Sequence, residues 1–222
     1  MTLAELIQQY RLAAHDAIEP YFVGDDDLTQ LFNEAVDEAA IRGRLIHESA
    51  SPAVCQIAVK AGQTTYKLHP SLYEIDHLSF RREGQPRRTP LALTSTEELD
   101  AGMRDWRDEV DDPAFAIQGD KQLRLAPTPL HDGQVLIEGY RLPMSPMEGN
   151  DDEPEINAAH HRHLYHWVMH RVFSIPDAET FDPSRAGQAL AAFTGYFGDR
   201  PDADLRRITR EDQAHTVKGY WV

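Results

Sequence analysis

The sequence predicts an α+β fold: a four-helix bundle with a β-strand insertion between helices two and three, followed by an extended C-terminal tail. Two observations predict it. Apolar residues recur at three- and four-residue steps towards both ends of the chain, which is the period of an amphipathic helix. In the middle they alternate with polar residues, which is the period of a strand. The simplest packing groups the four helices and lets a β domain project from them.

The same change of period sets the predicted domain boundaries. Residues 1–48 and 153–200 are expected to form the helical bundle domain. Residues 49–152 form the inserted β domain, and residues 201–222 form the tail. No internal repeat interrupts this order.

Two amphipathic helices are predicted at the start of the chain and should pack as an antiparallel pair. The apolar stripe of the first helix is Leu3, Leu6, Ile7, Tyr10, Ala14 and Ile18, with Pro20 and Gly24 ending it. Asp27 is the predicted N-cap of the second helix, with Gln30 reaching back three residues later. The stripe of this second helix is Leu28, Leu31, Phe32, Ala35, Ala39 and Ile46.

The central region is predicted to be mostly β-strand. "AVCQIAV" places Cys55, Ile57 and Val59 on one side of a strand, and "QVLIEGYRL" is the last strand of the block. "FAIQ" and "QLRLA" flank a glycine-containing turn typical of a hairpin. Residues 97–112 are acidic and contain Trp106, and we expect a surface loop or a short helix there.

Two further helices are predicted after the β block. "NDDEPEINAAHHRHLYHWVMHRVF" forms the third, with acidic residues before and in its first turn, and Pro176 stops it. The fourth opens with Asp182 as N-cap and Pro183 at the first helical position, and Gly198 is its C-terminal cap.

Composition excludes several classes of protein. Hydrophobic residues make up 41% of the chain, so a packed fold is expected, and no apolar run is long enough to span a bilayer. The N-terminus lacks the basic start and apolar block of a secretion signal. The single cysteine, Cys55, excludes an internal disulfide and a cysteine-built zinc site, which favours a reducing cytoplasm.

The formal net charge of −15 is concentrated in three places. Residues 97–112 hold eight acidic residues and two arginines, residues 148–155 hold five acidic residues and no base, and residues 25–27 are all aspartate. Such a chain should not grip nucleic acid, because phosphate binding needs clustered Lys and Arg. The alternative is that the acidity serves solubility alone.

Five of the chain's 11 histidines lie between residues 160 and 171. His163, His166 and His170 fall on one helical face, opposite an apolar stripe that includes Leu164 and Val168. Three such histidines can in principle bind zinc, copper or nickel. One continuous helix cannot close a tetrahedral site alone, however, and no "HExxH" occurs. We predict no metal site and a polar face at a solvent or subunit boundary, with a soluble His-rich helical metal-binding protein as the alternative.

Nothing in the sequence favours catalysis or a cofactor. It contains no glycine-rich phosphate loop and no G-x-S-x-G turn, and Cys55 lies in a strand pattern without an activating neighbour. "DDDLTQLFNE" lacks the spacing and the glycine of a calcium loop. The chain is therefore predicted not to be an enzyme.

The order of its motifs resembles the head–tail adaptor (connector) proteins of tailed bacteriophages, especially the adaptor or tail tubular protein of short-tailed phages. The similarity covers roughly residues 3–200. The matching stretches are "LAELIQQYR", "DDDLTQLFNEAVDEAAIRGRLIHE", "AVKAGQTTYKLHPSLYEIDHL", "YRLP", "EINAAHHRHLYHWVMHRVFSIPDAETFDP" and "FTGYFG". The chain departs from the family pattern in its histidine density, at positions such as His166 and His170.

The resemblance implies a structural virion protein. Family members form a ring, usually of twelve copies, that joins the portal protein to a tail nozzle or tube protein. The DNA passes through this ring, which acts both while the packaged DNA is retained and when it is ejected, and the ring does not bind the DNA specifically. No membrane takes part. The implied location is the head–tail junction of the virion, and the host cytoplasm during assembly.

A ring implies two different lateral surfaces on each subunit, because its contacts are heterologous. Candidates for subunit or portal contacts are His163, His166, His170, Arg162, Arg171, Tyr220 and Trp221. The aromatic pair near the C-terminus would serve as an anchor, or the terminus would simply be disordered. Residues 97–112 and 148–155 are candidates for a negative channel wall that does not hold DNA. A third interpretation is an interaction module for another partner.

Overall fold

A computed structural model describes residues 1–176 and 178–201 of the chain. The helices in these residues are α1 (Leu3–Ala14), α2 (Asp25–Gly43), α3 (Pro52–Cys55), α4 (Thr96–Gly102), α5 (Ala158–His161), α6 (Tyr165–Phe173) and α7 (Pro183–Phe197). The strands are β1 (His47–Glu48), β2 (Gln56–Val59), β3 (Thr65–Lys67), β4 (Leu72–Arg82), β5 (Thr89–Leu93), β6 (Val110–Asp111), β7 (Phe115–Gln118), β8 (Gln122–Ala126), β9 (Thr128–Pro129) and β10 (Gly133–Arg141).

The chain divides into two compact units. The helical unit consists of Met1–His47 and Tyr140–Arg200, and the β unit contains Glu48–Gly139. The domain boundaries of the sequence analysis stay a prediction. Each unit has its own hydrophobic core, so the residues that hold each one together can be described separately.

The helical unit packs α1, α2, α6 and α7 around one core. Its largest fully buried side chains include Tyr10, Phe32, Leu164 and Phe193. Phe193 lies 5.2 Å from Trp167, ring centre to ring centre, and so joins α7 to α6 through an aromatic pair. These side chains supply the apolar burial that a single amphipathic helix cannot achieve alone.

Buried charges close the loop between α1 and α2. Arg11 donates to Asp16 at 3.0 Å and to the Val23 carbonyl at 3.1 Å, and it also pairs with Asp25. Asp16, whose side chain is only 3% exposed, accepts a further hydrogen bond from the backbone N–H of Phe22 at 2.9 Å. Each buried charge therefore has partners, which offsets the cost of removing it from water.

The β unit is built around a mixed sheet with the strand order β1-β10-β4-β5-β7-β8-β3, and β2 pairs with β10 off this path. Most of the described pairings are antiparallel, such as β4 with β5 and β7 with β8. β5 and β7 run parallel, because α4 and the acidic segment connect them. Alternate residues of β10, including Val135 and Ile137, are buried in the core.

A small cluster beneath α4 holds the acidic segment against the sheet. Trp106 is 2% exposed and packs with Leu99 and Ala126. Its indole N–H donates to Asp100 at 2.8 Å. Asp100 also accepts a hydrogen bond from Arg107. The hydrogen bond from Arg107 is the main cause, and that from Trp106 the second, that lowers the pKa of Asp100 to about 2. The acidic segment is thus a fixed structure with a buried anchor.

The predicted four-helix bundle with a β insertion is wrong as a description of this fold. The residues that the structure describes contain an eight-stranded mixed sheet and seven helical segments. Periodicity detected the apolar stripes of four helices but could not show that the third is broken into α5 and α6. Periodicity also could not predict which strands pair with one another, because those pairs join residues that are distant in sequence. The predicted C-terminal tail, residues 201–222, lies outside the described residues except for Pro201.

Several boundaries also differ from the predictions. α1 ends at Ala14, and Ile18 is 85% exposed instead of extending the stripe. α2 begins at Asp25 with Gly24 as its N-cap, so Asp27 is not the cap. Cys55 ends the short helix α3 and does not lie in a strand. The predicted caps of α7 are confirmed. Asp182 caps the N-terminus, Pro183 is the first helical residue and Gly198 is the C-cap.

Candidate interaction surface

The histidine-rich stretch folds as two helical pieces joined by a tight turn. The Asn157 side chain caps α5 by accepting from the Ala159 N–H at 2.9 Å. Between α5 and α6 the backbone bonds connect residues three apart, from His163 to His160 and from Leu164 to His161. Such bonds wind the chain more tightly than an α-helix does. A wheel drawn for one continuous helix therefore misplaces the histidines.

Tyr196 of α7 covers part of the predicted histidine face. Its ring stacks on His163, with ring centres 3.6 Å apart and an interplanar angle of 15°. The hydroxyl of Tyr196 lies 3.1 Å from Nδ1 of His160. On the other side, His166 packs 4.1 Å from the ring of Tyr165. We call His160, His163, His166 and Tyr196 the His–Tyr surface.

Their surroundings favour the neutral form of two of these histidines. Burial is the main cause that lowers the pKa of His163, with Arg162 and His160 adding to it. Burial, followed by the neighbouring His163, also lowers the pKa of His166. Neutral imidazoles can both donate and accept hydrogen bonds and can stack on other rings. The rings of His163 and His166 are thus favoured as neutral aromatic groups in this surface.

His170 makes different contacts from the residues of the His–Tyr surface. Its Nδ1–H donates to the Ala186 carbonyl at 3.2 Å, and its ring lies 5.5 Å from that of Trp167. The ring centres of His163 and His166 lie 6.3 Å apart. His170 thus helps to join α6 to α7, whereas His163 and His166 contact Tyr196 and Tyr165.

The two arginines proposed for contacts differ in the same way. Arg162 is exposed in the turn between α5 and α6, and its backbone carbonyl accepts from Gln9 at 3.1 Å. Arg171 forms an ion pair with Glu34 of α2. Arg162 is thus available to a partner, while Arg171 already links two helices of its own unit.

Sequence reasoning missed His161, which is 1% exposed and belongs to the interior. Its Nε2–H donates to the Ile156 carbonyl at 3.0 Å, and its Nδ1 lies 2.8 Å from the amino nitrogen of Met1. The signal was present, since His161 precedes the core residues Leu164 and Val168 by three and seven positions, which is helical spacing.

The acidic stretch 148–155 has a structural role at the start of α1. The carbonyls of Asp152 and Asn150 accept from the first backbone N–H groups of that helix, Leu3 at 2.8 Å and Ala4 at 3.1 Å. Hydrogen bonds from the N–H groups of residues 148 and 149 lower the pKa of the Asp152 carboxyl. The backbone of this stretch therefore satisfies the start of α1, and the Asp152 carboxylate closes the turn from which those carbonyls come.

The described part of the chain contains no group of three or more histidines, cysteines or carboxylates arranged to hold a metal ion. His163, His166 and His170 contact aromatic rings, and His170 also contacts a backbone carbonyl, which is the chemistry of packing and recognition. None of the described helices combines the length and the apolar character that a bilayer span requires. Tyr220 and Trp221, the predicted aromatic anchor, lie outside the described residues.

Comparison with known proteins assigns the chain to a family. The model of the SU10 adaptor protein family matches residues 1–217, nearly the whole chain, so the protein belongs to that family. It is a structural phage protein of the head–tail junction, in a family that is not generally enzymatic and that associates with portal and tail components. The resemblance found in the motifs is thereby confirmed. No curated protein matches the sequence.

Proposed function

We propose that this SU10-family adaptor forms an oligomeric ring that joins the portal to the tail nozzle or tube and lets DNA pass. The family match over residues 1–217 is the observation that carries the proposal. We infer a ring of twelve copies from the resemblance to connector proteins. Two units that each have their own hydrophobic core suit a part that must bear contacts on several sides.

We assign one lateral contact of the ring to the His–Tyr surface and the adjacent Arg162. Tyr196 is 43% exposed although its ring stacks on His163, so it presents both an aromatic face and a hydroxyl. Tyrosine and arginine are the residue types that most often anchor protein interfaces. His170 and Arg171 support this surface indirectly, since they fix α6 against α7 and α2.

We propose that the acidity of the chain keeps the channel free of strong DNA contacts. The formal charge is −15, and carboxylates of residues 148–155, such as those of Glu148 and Asp151, are exposed. Phosphate would be repelled by such a wall, so the genome would move without being trapped. Tyr220 and Trp221 are proposed as an anchor on the portal or on a neighbouring copy.

Imaging of the virion neck tests the function directly. The full chain is bound to purified portal, and the complex is compared with the neck of intact particles by cryo-electron microscopy. We expect a closed ring of this chain between portal and tail, with Tyr196 at a contact between copies. A chain missing from virions, or bound as isolated copies beside the axis, contradicts the proposal.

A matched pair of variants tests the lateral surface. Arg162→Glu should weaken ring formation on the portal, because it reverses an exposed charge next to His163, which stacks on Tyr196. Lys67→Glu makes the same change in charge at an exposed position of the β unit and should have little effect. Equal assembly by both variants would remove the His–Tyr surface from the contact.

A further inference from the structure

The β unit carries a basic loop that contrasts with the acidity of the chain. Residues 81–88, "RREGQPRR", join β4 to β5 and contain four arginines and one glutamate. Residues 82–88 are all exposed. Within residues 1–176 and 178–201 no carboxylate forms an ion pair with Arg82, Arg87 or Arg88. The positive charges of these three arginines are therefore not neutralised by an ion pair within the described residues.

The loop is held in place by its base. The N–H of Glu83 donates to the Asp132 carbonyl at 2.9 Å, and the N–H of Gln85 donates to the Arg82 carbonyl at 3.1 Å. Arg81 donates to the Gln134 side chain at 2.6 Å. A fixed loop loses less conformational freedom on binding than a mobile one, so its charges are suited to specific contacts.

An open cavity of about 640 Å³ lies beside the loop. Its polar lining consists of Lys60, Arg81, Arg82, Glu83, Gln85, Asp132 and Gln134. Lys60 is already paired with Asp132 at 2.7 Å, so the arginines provide the remaining positive charge. A cavity of this kind fits carboxylate side chains, which guanidinium groups bind through two parallel hydrogen bonds.

The same unit presents the complementary charge on the acidic segment 97–112. Glu97, Asp108 and Glu109 are exposed there. The buried Trp106 and the pairing of β6 with β9 fix the segment. In the chain, β5 lies between the basic loop and this segment.

We propose that the basic loop of one copy docks on the acidic segment of a second copy of this chain. The inference rests on the proposed ring, because a ring needs two different and complementary surfaces on each subunit. A second copy offers carboxylates at a fixed place. A DNA duplex would meet the loop together with the −15 charge of the whole chain, which makes nucleic acid the weaker candidate.

Disulfide trapping tests the geometry. The chain has a single cysteine, Cys55, which is buried, so an introduced cysteine is the reactive thiol. An Arg88→Cys chain and an Asp108→Cys chain carry tags of different length, so that the mixed dimer and the two homodimers differ in size. The two chains are mixed and oxidised. We expect the mixed dimer to exceed both homodimers several-fold at low salt. The control pair, Lys67→Cys with Asp108→Cys, should show no such excess, and equal yields from both pairs overturn the inference.

Charge reversal separates this inference from the proposed function. R87E/R88E and the control K67E/K121E change the net charge equally at exposed positions. We expect R87E/R88E to lose assembly on the portal and the control to retain it. If R87E/R88E still forms rings, the inference fails while the proposed function stands. If the unmodified chain forms none, the proposed function fails, whatever the trapping result.

Nucleic acid is tested with the same variants. A short DNA duplex is titrated with each protein at low salt, and binding is followed by fluorescence anisotropy. We expect no difference between R87E/R88E and K67E/K121E. Binding by the unmodified chain that only R87E/R88E abolishes would make the loop a phosphate site and overturn docking on a second copy.

Discussion

The helical unit and the β unit use their charges in different ways. In the helical unit, Arg11 and Asp16 are buried and paired, and Arg42 forms an ion pair with Glu38 while lying over the ring of Trp167. In the β unit, Arg87 and Arg88 and the carboxylates of the acidic segment are exposed. Buried pairs fix the structure of their own unit, whereas exposed charges without partners are available for contacts between molecules.

The largest expected effect comes from breaking the buried pair of the helical unit. Arg11→Met leaves the Asp16 carboxylate buried without its guanidinium, and the free energy of unfolding should fall by about 3–5 kcal/mol. Urea denaturation followed by circular dichroism measures this loss. Arg107→Met, which breaks an exposed Arg–Asp pair in the β unit, is the control and should change stability far less. Similar losses in both variants would contradict the contrast between the units.

A glycine substitution in each unit gives the next largest expected effect. In β10, a Cβ on Gly139 would lie 2.3 Å from the Glu74 carbonyl oxygen, so Gly139→Ala should cost about 1–3 kcal/mol. In α7, a Cβ on Gly187 would meet nothing within 4 Å, so Gly187→Ala should add about 0.5–1 kcal/mol. Thermal unfolding of both variants should give shifts of opposite sign.

The His–Tyr surface predicts a dependence of stability on pH. Because folding lowers the pKa of His163 and His166 below the ordinary value of 6.5, the unfolded chain binds more protons there as the pH falls. Their contribution to stability is therefore present above pH 6.5 and is lost as the pH falls towards their folded pKa values. Urea midpoints of H163Q/H166Q should depend less on pH in this window than those of the unmodified chain. His77→Gln, at an exposed position of the β unit, is the control.

The smallest effect on stability is expected in the basic loop. R87E/R88E should change the free energy of unfolding by no more than about 0.5 kcal/mol, because exposed side chains without partners contribute little. Thermal unfolding of the isolated variant checks this. A large loss would mean that the two arginines support the fold, and assembly defects of R87E/R88E would then need another explanation.

The local features of the helices were predictable in part. The caps of α7, with Asp182, Pro183 and Gly198, depend on residues adjacent in sequence and were predicted correctly. The extent of α1 was not, because Asp16 accepts hydrogen bonds from residues of the following loop, and this ends the helix before Ile18. Contacts within one turn are visible in sequence, while those across a loop are not.

The candidate surface shows the same division. Helical spacing placed His163 and His166 near each other, as they are, but it could not show that Tyr196 stacks on one of them. It also grouped His170 with them and overlooked the buried His161. These side chains are sorted by the tight turn before α6 and by the packing of α7, both of which depend on residues far apart in the chain.

Sequence by itself determined the amphipathic stripes, the strand block, the excess of acid and the family to which the chain belongs. These properties depend on residue order and composition, which periodicity and motif order record directly. Only the tertiary structure decided that the strands form an eight-stranded sheet, which histidines are covered, and which charges of the described residues form ion pairs. The reason is physical: sheet pairing, ring stacking and ion pairing join residues distant in sequence, and their free energy is gained only when the chain folds back on itself.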